Sequence, residues 1–350
     1  MLIWPSYRLV SKYILPTSMK IIIPMAGRGT RLSPHTFTTP KSLIPIAGKP
    51  IVQRIVEDTA KICDDEVDEV AFVIGHLSKE IEDSLIKIAE NIGAKGSIYY
   101  QENALGLGHA VLCAKESLVG KVVVVYGDTL FKADLKLDSS KDGIICVYKV
   151  EDPRPFGVVT VDADNMITGF VEKPQEFVSD LAIIGVCYFQ NGEYLRSELQ
   201  YLVDNNITQK GEYQITSAME NMRAKGTKFF VCEVTEWLDC GNKDATVYSN
   251  SRILEIDMNI QRTSNFVNQN SIIIEPCFVG EGVQLINSII GPYVSVGENT
   301  ILDNSIVKNS IIQANSRILH AELSNSMIGN NAEFTGTSND ASISDFSTIR

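Results

Sequence analysis

The C-terminal part of the chain carries a repeat that few folds can accommodate. Asn-Ser-Ile-Ile and its variants recur at Asn287–Ile290, Asn304–Val307, Asn309–Ile312 and Asn325–Ile328. An aliphatic-Gly pair recurs at Val279-Gly280, Ile290-Gly291, Val296-Gly297 and Ile328-Gly329. Aliphatic residues returning at six-residue steps fill the interior of a parallel β-helix, with small or polar residues at its corners. Helical periodicity is lost after Asn268, so this unit is expected over residues 258–334. The polar residues 335–350 are expected to fray as a tail.

Upstream the pattern is different. Ile21–Pro24 reads as a buried strand, Ile51–Ile62 as an amphipathic helix, Val70–Ile74 as a strand, and Glu80–Glu90 as a helix that Ser78 can cap. Ile98–Tyr100 is a short strand, Leu107–Glu116 a helix, and Val122–Tyr126 an apolar run of the kind buried in parallel sheets. Such alternation predicts a doubly wound α/β domain over residues 19–257, whose ligands bind beyond the carboxyl ends of the strands. From Gly143 longer β-branched strands follow, at Ile144–Val150, Val158–Val161, Met166–Val171 and Ala182–Phe189. Residues near the ends of these strands are expected to form part of the ligand-binding site, and a helix at Tyr248–Asp257 closes the domain.

The stretch Gly27–Pro50, GRGTRLSPHTFTTPKSLIPIAGKP, lies directly after the first strand. Gly27, Gly29 and Thr30 let backbone N–H groups approach a ligand closely, as phosphate cradles do. Arg31 supplies a planar fork matched to phosphate oxygens and Lys41 a compact point charge. The spacing is neither that of a Walker A loop nor that of the dinucleotide fingerprint. Gly127-Asp128 follows the Val122–Tyr126 strand, and an Asp there can hold Mg²⁺ against phosphates.

A formal net charge of −12 argues against nucleic-acid binding, which needs clustered Lys and Arg. Anionic ligands must then be met by local charge, supplied here by Arg28, Arg31, Lys41 and Lys49. No apolar run is long enough to span a bilayer, so no membrane partner is expected. Seven cysteines without a C-x-x-C fit a reducing, cytoplasmic setting, with Cys63, Cys113, Cys146 and Cys187 as small buried hydrophobes. Residues 1–18 do not read as a signal peptide; they form an N-terminal tail expected to be disordered, with translation starting at Met19.

From Gly27 the loop matches, position for position, the signature G-x-G-T-R-L-x-P-x-T-x-x-x-P-K-x-L-x-P-I-x-x-K-P of the sugar-1-phosphate nucleotidylyltransferases. The chain from Met19 to about Gly329 resembles this family. It is most similar to long-form glucose-1-phosphate thymidylyltransferases, with segments similar to bacterial glucose-1-phosphate uridylyltransferases. The resemblance implies a nucleotidyltransferase domain built on a doubly wound mixed sheet, followed by a left-handed parallel β-helix. It implies that Ala26, Gly27, Gly29, Thr30, Gln101, Gly106 and Gly127 bind the nucleotide, Gln101 and Gly106 reading a pyrimidine. Gly157, Glu172, Lys173 and Val186 would bind the sugar phosphate. Arg31, Lys41 and Lys173 would be the catalytic cations, and Asp128 with Asp239 would hold Mg²⁺. The substrates implied are an NTP, with dTTP ranked above UTP, and glucose-1-phosphate, in a homo-oligomer. Ser217 departs from the family pattern, where an Asp is usual. His109 is expected to open a helix rather than act as a base. His320 is expected to be structural rather than to serve acyl transfer by the β-helix. A non-catalytic regulatory subunit would require lost catalytic residues, and Arg31, Lys41, Asp128, Lys173 and Asp239 are all present.

Overall fold

A computed structural model describes residues 18–27, 29–257, 260 and 263–350. Nearly all of the expected N-terminal tail, and Arg28, lie outside the described residues. Among the described residues, thirteen strands precede the repeat region: β1 (Met19–Pro24), β2 (Pro45–Ile46), β3 (Lys49–Pro50), β4 (Val67–Ile74), β5 (Lys95–Tyr100), β6 (Lys121–Val125), β7 (Thr129–Lys132), β8 (Gly143–Lys149), β9 (Gly157–Val161), β10 (Ile167–Glu172), β11 (Leu181–Phe189), β12 (Phe229–Glu233) and β13 (Glu236–Asp239). Six helices accompany them: α1 (Ile51–Ile62), α2 (Lys79–Glu90), α3 (Leu107–Cys113), α4 (Gly192–Asp204), α5 (Ile215–Ala224) and α6 (Lys243–Ile256).

β5, β4, β1 and β6 lie side by side in that order, all parallel. β11 then runs antiparallel to β6, carrying β8 and β9 alongside. The sheet is therefore mixed, and the strands after Gly143 extend this same sheet. The reason is legible in β1, where Ile21, Ile22 and Ile23 are all fully buried. Successive side chains on a strand point to opposite faces, so such a run needs cover on both sides. Ile21 and Ile23 pack with Ile51 and Ile55 of α1 and Leu85 of α2. Ile22 packs with Val111 of α3, Leu195 of α4 and Met219 of α5.

Two helices depart from their expected bounds. α3 stops at Cys113 because the chain turns to bury Leu118, with the N–H groups of Ser117 and Leu118 both bonding back to the Ala114 carbonyl. α6 starts earlier than expected, capped by Asn242, whose side chain accepts from Ala245 N at 3.0 Å. Ser78 occupies the N-cap position of α2, but its side chain makes no capping bond.

Beyond residue 263 the strands are short, and every pairing is parallel. Val267 pairs with Gln284, Gln284 with Ile301, Ile301 with Arg317, Arg317 with Glu333, and Glu333 with Thr348, so successive coils advance by 15 to 17 residues. This stacking is that of a parallel β-helix, and each part of the Asn-Ser-Ile-Ile repeat has a place in it. Asn287, Asn304, Asn309 and Asn325 all adopt positive φ at corners, a conformation Asn tolerates better than most residues. The serines form a ladder: Ser271 Oγ accepts from Ser288 N, Ser288 Oγ from Ser305 N, and Ser305 Oγ from Ala321 N. Of each aliphatic pair, the second member (Ile290, Val307, Ile312, Ile328) is buried within the coil stack. The expectation of a frayed tail after Phe334 is corrected here. Glu333–Ser338, Ser342–Ile343 and Thr348–Ile349 are strands that continue the same stacking, with the polar residues turned to solvent.

The coils pack against the first domain along α6 and the signature loop. Asn250 of α6 is fully buried, and its Oδ1 accepts from both Ala47 N (3.0 Å) and Ser295 Oγ (2.7 Å). Gly48 has a φ of 81°, and a Cβ there would fall 2.3 Å from the Phe278 ring, so the β2–β3 hairpin fits against the coil only with glycine at this position. At the far end of the loop, His35 Nε2 lies 3.1 Å from Ser342 Oγ, and Thr38 Oγ1 donates to Asp345 Oδ2 at 2.6 Å.

Candidate active site

Two adjoining clefts open beyond the carboxyl ends of β1 and β6, where the order of a doubly wound sheet leaves a crevice. The first, of about 520 Å³, is walled by the signature loop on one side and by the Gln101–Ala110 segment on the other. The second, of about 410 Å³, is walled by β9, β10 and β13. Arg31, Leu107, Tyr126 and Asp128 line both.

The signature loop reaches its shape through two short 3₁₀ turns, Thr30–Leu32 and Lys41–Leu43. Gly29 between them has a φ of 61°, and a Cβ there would press on Lys41 Cβ at 3.0 Å and Thr36 Cγ2 at 3.1 Å. Glycine thus lets the loop fold over Lys41. The Lys41 side chain is only 10% exposed, and its Nζ contacts Asp128 Oδ2 at 2.5 Å. A buried ammonium needs such a partner.

Asp128 and Asp239 are remote in sequence, and a two-stranded ribbon brings them together. β7 pairs antiparallel with β13, with Asp239 opposite Thr129, and Cys240 N donates to the Asp128 carbonyl at 3.1 Å. Burial raises the Asp239 carboxyl above its ordinary range, the Asp128 charge raises it further, and Lys41 and Arg31 oppose the shift. Two carboxylates brought together in this way are chemically suited to a divalent cation. Among the described residues no cluster of three or more His, Cys, Asp or Glu is placed to hold a metal unaided. A cation here would complete its shell with phosphate oxygens and water, as Mg²⁺ commonly does.

In the second cleft Gly157 and Glu172 are cross-strand partners of the β9–β10 hairpin. Glu172 Oε2 accepts from Thr216 Oγ1 at 3.2 Å, and Oε1 lies 3.7 Å from Lys173 Nζ. Lys173 adopts a φ of 46°, which is strained for a residue with a Cβ, and its N–H bonds the Phe156 carbonyl at 3.0 Å.

Of the residues singled out in the sequence, Ala26, Gly27, Gly29, Thr30, Arg31, Lys41, Gln101, Gly106, Gly127 and Asp128 all line the first cleft. Gly157, Glu172, Lys173 and Asp239 line the second. Val186 does not: its side chain is fully buried in β11 opposite Val125, because it sits on an inward position of a central strand. Ile183 and Ile184 of the same strand reach the cleft wall instead. Ser217 lines neither cleft, its Oγ accepting from Gln209 Nε2 at 3.0 Å. His109 also lies off both walls, behind Gln101. Sequence reasoning missed Tyr126, Thr216 and Trp237. Trp237 lines the second cleft, with its indole nitrogen buried and without a partner among the described residues, and its proximity to Asp239 was the available signal.

Residues 20–255 match the family of nucleotidyl transferases. The chain belongs to this family. It is 30% identical over 344 residues to the bifunctional protein GlmU of Methanococcus vannielii, covering 90% of this chain and 79% of that protein. It is 29% identical to the glucose-1-phosphate thymidylyltransferase of Streptomyces antibioticus, covering 91% of this chain and 94% of that one. Among solved structures, UDP-glucose pyrophosphorylase complexed with UDP-glucose superposes with a TM-score of 0.57 at 24% identity, over 68% of this chain and 98% of the other, which speaks to the fold alone. The nucleotidyl transferase is thus an enzyme of the sugar-1-phosphate nucleotidyltransferase kind. Its family match spans the sheet domain and ends within α6, before the coil stack begins.

Proposed function

We propose that the enzyme transfers a nucleoside monophosphate from a pyrimidine NTP to glucose-1-phosphate, releasing pyrophosphate, with dTTP as the nucleotide and UTP as the second reading. The observation that carries this is the pair of adjoining clefts that share Arg31 and Asp128, one walled by a phosphate-cradling loop and one by hydroxyl-binding and cationic groups. The match over nearly the whole length of a glucose-1-phosphate thymidylyltransferase supports dTTP. Gln101 and Gly106 face the base, Gly157 and Glu172 the sugar, and Lys173 the sugar phosphate. A sugar phosphate oxygen, already anionic at neutral pH, attacks the α-phosphorus, and the bond to the β-phosphate oxygen breaks as pyrophosphate leaves. No general base is needed, so the protein contributes positioning and charge stabilisation. Arg31 stabilises the departing pyrophosphate and Lys41 the transferring phosphoryl group. Asp128 and Asp239 would hold Mg²⁺, which supplies charge neutralisation at the phosphates. Pyrophosphate release measured for five NTPs against glucose-, mannose-, galactose- and N-acetylglucosamine-1-phosphate tests this. The reading expects dTTP or UTP with glucose-1-phosphate to dominate, and dominance of a purine NTP overturns it.

We further infer that the coils join subunits into a homo-oligomer. Ile272, Ile289 and Ile306 are successive register partners on one face of the coil, and Ile272 and Ile306 are exposed. Replacing both exposed residues by Glu is expected to lower the mass seen by light scattering; an unchanged mass contradicts the assignment.

A further inference from the structure

Gln101 and His109 meet beside the first cleft in an arrangement that the helix itself does not require. Gln101 follows β5 and lines the cleft. Its Nε2 donates to the Gly106 carbonyl at 3.1 Å and to His109 Nδ1 at 3.1 Å. The Gly106 oxygen can only accept, so it fixes which end of the amide faces it. The second amide hydrogen then goes to His109, whose Nδ1 must be the unprotonated nitrogen. With both hydrogens engaged, Oε1 is the amide atom left without a protein partner among the described residues, on a side chain that lines the cleft.

We propose that His109 is a positioning residue for base selection, its Nδ1 lone pair turning the Gln101 amide so that Oε1 is offered to the base. This rests on the nucleotidyl-transfer reading with a pyrimidine in the first cleft. Uracil and thymine present an N3–H donor to such an oxygen, whereas cytosine presents an N3 acceptor and is repelled. His109 suits the task because it lies off the cleft wall and is half-buried in α3. Burial lowers its pKa below the ordinary value, which keeps the ring neutral and Nδ1 an acceptor at neutral pH. The other groups at its edge are the Cys113 thiol, 3.9 Å from Nδ1, and the Tyr213 ring, 6.5 Å between centroids.

The test compares kcat/KM for UTP, dTTP and CTP in the wild type, His109→Leu and His109→Gln. Removing the acceptor by Leu loses one hydrogen bond's worth of orientation, so the preference for dTTP or UTP over CTP is expected to fall about three- to tenfold, mainly through KM. Gln restores an acceptor and is expected to recover most of the preference. Calorimetric binding of UTP and CTP gives the same ratio for any variant too slow to assay. An unchanged ratio in the Leu variant overturns the proposal, as does an equal loss of rate with every nucleotide, the mark of a merely structural role. A wild type that prefers CTP or a purine NTP defeats the base reading before any variant is made, so the two failures are told apart.

Discussion

At the scale of residues, the site depends on a small set of charges held where solvent is scarce. Lys41 is paired with Asp128, and the Asp239 carboxyl is raised above its ordinary range first by burial and then by the Asp128 charge. In the proposed mechanism a divalent cation held between the two carboxylates would offset their mutual repulsion, so both members are needed. Asp128→Asn and Asp239→Asn should each lower turnover by ~10²-fold or more while leaving the circular dichroism spectrum unchanged. Near-normal activity in both variants would remove the metal assignment. Lys173 is different in kind. It is 46% exposed and strained in its backbone, so its charge is available to a ligand that comes and goes. Lys173→Ala is expected to raise KM for the sugar phosphate well above any change in KM for the NTP, in steady-state kinetics with each substrate varied in turn. Equal changes in the two KM values would contradict its placement.

Among elements, the contact between the signature loop and the last coils offers a measurable signature of its own. His35 sits in the middle of that loop and is almost wholly buried against the coil, with Nε2 on Ser342 and Nδ1 buried without a partner among the described residues. Burial is the main cause of a pKa lowered from 6.5 to about 4, with Lys243 lowering it further and Asp345 opposing. The unfolded chain therefore takes up a proton on this ring before the folded one does. Stability from the neutral ring is complete above about pH 6.5 and is lost as pH falls towards 4, by about 3 kcal/mol in all. Denaturant unfolding at a series of pH values should show this loss in the wild type and a flatter profile in His35→Gln. Parallel profiles would mean that the ring is not buried as described. The loop's place at the first cleft could be read from Gly27, Gly29, Arg31 and Lys41, because local spacing dictates it. Its second role as the seat of the coils, through His35, Thr38 and Gly48, could not, since those partners lie hundreds of residues away.

For the whole molecule, the repeat revealed the coil stack because each Asn corner, Ser ladder and inward aliphatic recurs at nearly fixed spacing. The extension of that stack to Thr348–Ile349 was hidden because the final coils replace the aliphatic pairs with Phe334, Ala341 and Ile343 among polar residues. Likewise the strands after Gly143 were recognisable as strands, but their membership of the main sheet is decided by β11 inserting beside β6, a long-range pairing that no local pattern encodes. That insertion sets the second cleft against the first. Under the proposed function both substrates would be bound together, and transfer would be direct, without a nucleotidyl-enzyme intermediate. Exchange of labelled pyrophosphate into the NTP, in the absence of sugar phosphate, tests this most directly. The account predicts no exchange until glucose-1-phosphate or the product is added. Exchange with NTP and pyrophosphate alone would show a covalent intermediate and contradict it.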